Sequence, residues 1–148
     1  MIALIQRVSR ASVDIDDKEV AAIGAGLMVL LGIQVGDTEK EARKLAQKTV
    51  SLRVFDDDKG DMNLDVKSVD GGVLIVPNFT LAADTSRGNR PGFSTAMPPK
   101  DAEPLFELFA TETRELTKSV QTGVFGADMQ VSLVNDGPIT ISLETKNT

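Results

Sequence analysis

The sequence contains neither cysteine nor histidine, and the two absences together remove most familiar hydrolytic machinery. Without cysteine there is no disulfide framework and no thiolate zinc site. Without histidine there is no Ser-His-Asp triad, no Cys-His pair and no imidazole-held metal. If the chain is an enzyme, its working groups are hydroxyls, carboxylates, carboxamides, lysine, arginine, backbone amides or the substrate itself. Long apolar runs are missing too. The longest, Gly26 to Ile33, falls far short of the ~20 residues that cross a bilayer. The opening Met1-Ile2-Ala3-Leu4-Ile5-Gln6-Arg7 lacks the basic region and long apolar core of an export signal, so a cytoplasmic location away from membranes is expected. Positive charge is scarce: 16 Lys and Arg against 22 Asp and Glu leave a net charge of −6 and a pI near 4.6. Binding along a DNA or RNA backbone depends on many basic contacts, and this balance opposes it. Gripping one end of an RNA through a local patch remains compatible with it.

What is present fits a single domain over residues 1–148, with 41% apolar residues and no linker, repeat or low-complexity tract. Met1 to Val8 reads as a first strand, and Ala11 to Ile15 with Glu19 to Ile23 as a hairpin around Asp16-Asp17-Lys18. After Gly24-Ala25-Gly26, Leu27 to Gly32 reads as a buried strand. Thr38 opens a helix, with Glu41 placed for a capping box and Ala42, Leu45, Ala46 and Thr49 at helical spacing. Arg43, Lys44 and Lys48 lie mainly off that face, on either a solvated surface or an RNA-facing patch.

Arg53 to Phe55 reads as a short strand leading into Asp56-Asp57-Asp58-Lys59-Gly60-Asp61. Those carboxylates invite a calcium loop and fail its pattern. The glycine is one place early, and Lys67 stands where a glutamate should close the loop. An acidic surface turn is expected, with no metal site and no cofactor anywhere in the chain.

Gly72 to Val76 reads as a central strand ending at Pro77, and an irregular stretch follows from Ala83 to Pro99. A second helix is expected near Asp101 as N-cap, with Pro104 in its first turn and Leu105, Leu108, Phe109 and Leu116 as its stripe. Two alternating strands close the chain, Met129 to Leu133 and Ile139 to Leu143, joined by the turn Asn135-Asp136-Gly137-Pro138. Strands and two helices that do not alternate regularly favour an α+β fold.

Two segments stand out as places for chemistry. Pro77 to Thr80 delivers a carboxamide and a hydroxyl to a strand end, where catalytic groups are often held on a rigid base. Asn135 to Thr140 contains Gly137-Pro138, and X–Pro bonds adopt the cis form at modest cost in tight turns. Read locally, each also has a plain structural meaning, a strand end and a hairpin turn.

Together the two resemble a family. Leu74 to Ala82, Leu-Ile-Val-Pro-Asn-Phe-Thr-Leu-Ala, resembles the Ser-Gln-Phe-Thr-Leu-Ala signature of the D-aminoacyl-tRNA deacylases. Asn135-Asp136-Gly137-Pro138-Ile139-Thr140 resembles their Asn-X-Gly-Pro-X-Thr signature. Met1 to Val8, Arg10 to Val13, Thr85 to Phe93 and Gly126 to Leu133 are similar as well, so the resemblance runs essentially end to end.

The resemblance implies mixed and antiparallel sheets in a barrel-like core with two main helices. It also implies a homodimeric hydrolase that frees D-amino acids, or glycine, from the 3′ end of tRNA at sites on the dimer interface. By matching position, Phe79 and Thr80 are the catalytic-segment residues. Pro77, Asn78, Met129, Gly137, Pro138 and Arg7 are the substrate-binding set, with Gly137-Pro138 inserted from the partner as a Gly-cisPro wall and Arg7 bracing it across the interface. Nothing in the sequence deprotonates Thr80, so positioning or oxyanion support is favoured over direct attack. This chain departs from the family at Pro77-Asn78, which replaces Ser-Gln and bears on how strictly L-amino acids are rejected. Two other readings stay open on the residues alone: the same fold acting on another small ester or amide, and a catalytically silent RNA-binding dimer.

Overall fold

The computed structural model describes residues 1–145. Strand β1 covers Ile2–Ile15, β2 Lys18–Ile23 and β3 Gly26–Gly32; helix α1 spans Glu39–Ser51. After it come β4 (Phe55–Asp56), β5 (Met62–Leu64) and β6 (Gly72–Pro77). Helix α2 (Pro99–Leu116), β7 (Val120–Thr122) and β8 (Gln130–Glu144) complete the chain. The fold is α+β, as expected. Among the described residues no helix is long and apolar enough to cross a membrane.

The expected hairpin forms, with a tighter turn. Asp16 and Asp17 take φ of 51° and 64°, the double left-handed geometry that matches strand twist in two-residue hairpins, and Lys18 already belongs to β2. The first two expected strands are one. β1 runs through Ser9-Arg10 without ending, flanked along its length by β8 on one side and by β2 and β3 on the other. β3 and β6 then pair in parallel, as do β6 and β7. Gly26 is required where β3 begins, since a Cβ there would lie 1.9 Å from the Gly72 carbonyl oxygen, and a Cβ on Gly72 would lie 3.0 Å from the Ile23 side chain.

Alternation divides this sheet between two apolar layers. Leu27, Val29, Leu31, Val73 and Ile75 face the helices, where they meet Leu45, Val50, Phe106 and Phe109. Met28, Leu74 and Val76 face the other way, onto Val8, Ala11 and Val13, as the sheet curls nearly closed into a barrel. β1 contributes Ala3 and Ile5 to the first layer and Val8, Ala11 and Val13 to the second. β8 makes the same crossing, with Ile139, Ile141 and Leu143 on the helical layer and Val131 and Leu133 on the inner one. The two strands change layers together, where their register shifts around Arg7 to Arg10.

Further expectations need correction. The last two strands are a single strand, β8, because β1 is long enough to pair with both halves and carry them past the interruption at Asn135–Ile139. Helix α2 begins at Pro99 rather than near Asp101, Pro98 being its N-cap, because Pro99 lacks the N–H that a first-turn residue leaves unused. Pro104 therefore lies inside the helix, on its exposed side, where the carbonyl it leaves unpaired meets solvent. The buried stripe of α2 is Ala102, Phe106, Phe109, Ala110 and Thr113; Leu105, Leu108 and Leu116 are only half-buried beside it.

Helix α1 buries its expected face and adds Val50. The Glu41 carboxylate folds back to accept from the Thr38 N–H at 2.6 Å and from the Thr38 hydroxyl. Of its basic residues, Arg43 is committed to Glu39 and to Glu112 of α2, at 3.6 and 3.5 Å. The short strand expected at Arg53 to Phe55 lies slightly later, as β4. The acidic turn after it is closed by Asp57, whose Oδ1 accepts from the N–H groups of Lys59 and Asp61. Those bonds hold the Asp57 carboxyl below the usual carboxylate range, the Asp61 N–H contributing most.

Candidate active site

Strand β6 is buried on both faces until Pro77, and the chain then turns sharply. Pro77 is accommodated because the ladder to β7 ends at Ile75, so no N–H is needed from it. Asn78 still donates to the Leu31 carbonyl at 2.9 Å, which fixes the turn to β3. Phe79–Ala82 forms a 3-10 turn rather than a continued strand end. Within it, Leu81 donates to the Asn78 carbonyl and Ala83 to that of Thr80. Among the described residues, the N–H groups of Phe79 and Thr80 have no hydrogen-bond partner, as expected for the head of such a turn.

The Thr80 hydroxyl donates to Asn78 Oδ1 at 2.6 Å. Its proton thus rests on a carboxamide oxygen, and the same bond orients the Asn78 amide. Phe79 is half-exposed and stacks at a tilt of 42° on Phe93, with ring centroids 4.7 Å apart. Below them opens a mainly apolar cavity of about 280 Å³ lined by Pro77, Asn78, Phe79, Met97, Phe125 and Met129, among others. Of the expected residues, the structure therefore brings Pro77, Asn78, Phe79 and Met129 to one cavity, with Thr80 at its edge bonded to Asn78.

Met97 and Phe125 went unnoticed in the sequence because they arrive from distant segments. Met129 is seated in the cavity by a glycine. A Cβ on Gly123 would lie 2.7 Å from Met129 Sδ and 3.5 Å from Pro77 Cδ, so this glycine lets Met129 pack against the strand end. The long loop after the 3-10 turn is well anchored: Met97 donates to the Ile33 carbonyl at 2.9 Å, Val35 to that of Thr95 at 3.0 Å, and Thr95 Oγ1 to that of Ala82 at 2.6 Å. Arg87 and Arg90 are exposed near its tip.

Gly137 and Pro138 stand elsewhere in the chain and line none of this cavity. They lie midway along β8, exposed, with the peptide bond between them cis and Gly137 at φ 128°. Arg7 holds this segment of its own chain. Its Nη1 donates to the Val54 carbonyl at 2.7 Å and its Nε to the Asp136 carbonyl at 3.3 Å, while Asp56 and Asp136 supply carboxylates at 3.6 and 3.4 Å. The Arg7 side chain is only 11% exposed. It is committed to this internal network.

The model of the D-Tyr-tRNA(Tyr) deacylase family matches residues 4–144. A D-aminoacyl-tRNA deacylase of Xanthomonas axonopodis pv. citri is 56% identical over 144 residues, covering 97% of this chain and 99% of the relative. This chain belongs to the D-aminoacyl-tRNA deacylase family. Its members are hydrolases of the ester that joins an amino acid to tRNA. The deacylase of Geobacter sulfurreducens is 50% identical over 147 residues, covering 99% of this chain and 97% of that one. Among solved structures, one described as c-Myc DNA unwinding element binding protein superimposes with a TM-score of 0.95 at 41% identity, covering 99% of this chain and all of the other. A probable eukaryotic D-amino acid tRNA deacylase shares the fold, at a TM-score of 0.79 and 16% identity over 96% of this chain and 97% of that one.

Proposed function

We propose that this deacylase cleaves D-aminoacyl-tRNA at a site completed by a second copy of the chain. The aminoacyl end of the tRNA occupies the cavity beside Asn78, Phe79 and Met129, and Gly137-Pro138 of the partner subunit closes it. The observation that carries the mechanism is the bond from the Thr80 hydroxyl to Asn78 Oδ1. A carboxamide oxygen does not remove a proton, so Thr80 is a positioning group and water is the nucleophile. Water oxygen bonds to the acyl carbon, the ester C–O bond breaks, and the departing ribose oxygen takes up the proton that the water gives up. The ester is already activated, so orientation and stabilisation of the oxyanion suffice. The unpartnered N–H groups of Phe79 and Thr80 are the donors for that charge.

Two features support a shared site: the separation of the two signature segments within one chain, and the exposure of both Gly137-Pro138 and the Phe79–Phe93 pair. A fixed backbone wall against the substrate α-carbon rejects an L side chain and accepts a D arrangement or hydrogen, so glycyl-tRNA is a substrate as well. Contact is confined to the RNA end, in keeping with a net charge of −6, and the setting is the cytoplasm. No metal or cofactor takes part, and careful chelation should leave turnover unchanged.

The test is release of amino acid from D-tyrosyl-, L-tyrosyl- and glycyl-tRNA in parallel. Cleavage of the D and glycyl substrates alone supports the reading. Cleavage of the L form at a comparable rate contradicts the wall, and binding without any turnover contradicts the deacylase.

A further inference from the structure

The register between β1 and β8 pairs Gln6 with Thr140 and Val8 with Asn135, which leaves Arg7 alone facing the excursion from Asp136 to Ile139. The Asn135 side chain spans the base of that excursion. Its amide nitrogen donates to the Arg7 carbonyl at 3.1 Å and to the Ile139 carbonyl at 2.9 Å, so both hydrogens are used. Its oxygen accepts from the Thr140 hydroxyl at 3.3 Å, and Gln6 Nε2 donates to that same hydroxyl oxygen at 3.4 Å. The carboxamide is therefore half-buried and held at both ends.

From this geometry we infer that Asn135 is a specificity-determining positioning residue, which fixes how far Gly137-Pro138 projects from the sheet. The excursion is secured at two points. Asn135 ties Ile139 on its trailing side to the Arg7 backbone, and the Arg7 guanidinium ties Asp136 on its leading side. Among the described residues the exposed Gly137-Pro138 pair between them has no register partner on β1, so its position depends on these ties. Only a carboxamide of this length suits the task. Aspartate has the shape without the donors, glutamine is one methylene too long, and serine cannot reach two carbonyls. The inference rests on the reading of Gly137-Pro138 as the wall that rejects L-amino acids.

The experiment compares single-turnover cleavage of D- and L-tyrosyl-tRNA by Asn135→Asp, Asn135→Ala, Thr140→Val and Gly137→Ala, with circular dichroism and elution volume as checks on folding. Both Asn135 variants should lower the D-over-L ratio by about tenfold, the scale of losing one or two hydrogen bonds, mainly by admitting the L substrate. Thr140→Val, which removes only the bond that orients the carboxamide, should shift the ratio in the same direction by less. It keeps the test decisive if the Asn135 variants fold poorly. A purely structural asparagine would lower D and L cleavage together and leave the ratio unmoved, and that result overturns the inference. If Gly137→Ala shifts the ratio while the Asn135 and Thr140 variants do not, the positioning role fails and the wall stands. If none of the four shifts it, the wall reading fails as well.

Discussion

Asn78 to Leu81, the turn that ends β6, and Asn135 to Thr140, the excursion within β8, use their hydrogen-bonding capacity in opposite ways. Around Gly137-Pro138, the Arg7 guanidinium, the Asn135 carboxamide and the Thr140 hydroxyl are all engaged, and what remains exposed is backbone shape. At Asn78 to Thr80 the backbone is anchored through Leu31, but the N–H groups of Phe79 and Thr80 are unspent and a cavity lies beside them. A segment that is rigid and whose side-chain hydrogen bonds are saturated is suited to excluding things. One that is rigid and unsaturated is suited to binding developing charge. Proofreading an activated ester needs one of each.

The largest effect should come from disturbing the saturated segment. At Gly137, φ of 128° disfavours any side chain, and a Cβ would lie 2.8 Å from Ile139 Cγ1 and 3.3 Å from the Arg7 guanidinium. Strain of this kind costs about 1–3 kcal/mol, so Gly137→Ala should lower the D-over-L ratio by about 10- to 100-fold, measured as paired single-turnover rates. Arg7→Lys comes next. An ammonium cannot span Val54 and Asp136 together, and a loss of about tenfold in D-tyrosyl-tRNA turnover is expected, read from kcat/KM.

Smaller again is Thr80→Val at the unsaturated segment. Losing the hydroxyl that orients Asn78 should slow D-tyrosyl-tRNA cleavage by about 3- to 10-fold, with Thr80→Ser near normal. A collapse of roughly 10⁴-fold would make Thr80 the nucleophile and dissolve the contrast between the two segments.

The smallest change lies away from both. Thr38→Ala should cost about 1 kcal/mol of stability in urea unfolding and leave the D-over-L ratio untouched. The Thr38 hydroxyl, with the Thr38 N–H, holds the Glu41 carboxyl below its ordinary pKa. Its modest contribution is therefore complete above that ordinary value and fades as the pH falls through the lowered one. Thr38→Ala should flatten this acid-side loss.

Much of this was legible in the residues. The polar turn at Asp16-Asp17-Lys18 foretold a hairpin, the spacing of Ala42, Leu45 and Ala46 foretold α1, and the run ending at Pro77 foretold β6. These features are local, so local pattern reveals them. The continuity of β8 was hidden because Gly137-Pro138 reads as a turn in isolation. Only pairing with β1, more than a hundred residues away, carries the strand past it. The start of α2 was misread because Asp101 makes a better N-cap by residue type than Pro98. At the site, Pro77 to Thr80 could be read from their motif, whereas Met97 and Phe125 could not, since only the folded sheet brings them to the same cavity. Arg7 was expected to brace Gly137-Pro138 across an interface, whereas its bonds to Val54 and Asp136 within its own chain were not legible, since only the fold brings those carbonyls to it.

A mixed dimer tests the central claim most directly. One copy carries Gly137→Trp, which should obstruct the pocket it faces, and the other carries Phe79→Ala with Thr80→Val, which should cripple its own. The Gly137→Trp homodimer should be nearly inactive on D-tyrosyl-tRNA, and the Phe79→Ala/Thr80→Val homodimer at least about tenfold slowed. If the site is shared, the mixed dimer joins the intact pocket of one copy to the intact Gly137-Pro138 of the other, and about half of the normal activity returns. A mixed dimer as inactive as its parents would show that Gly137-Pro138 serves its own chain, and would contradict the account.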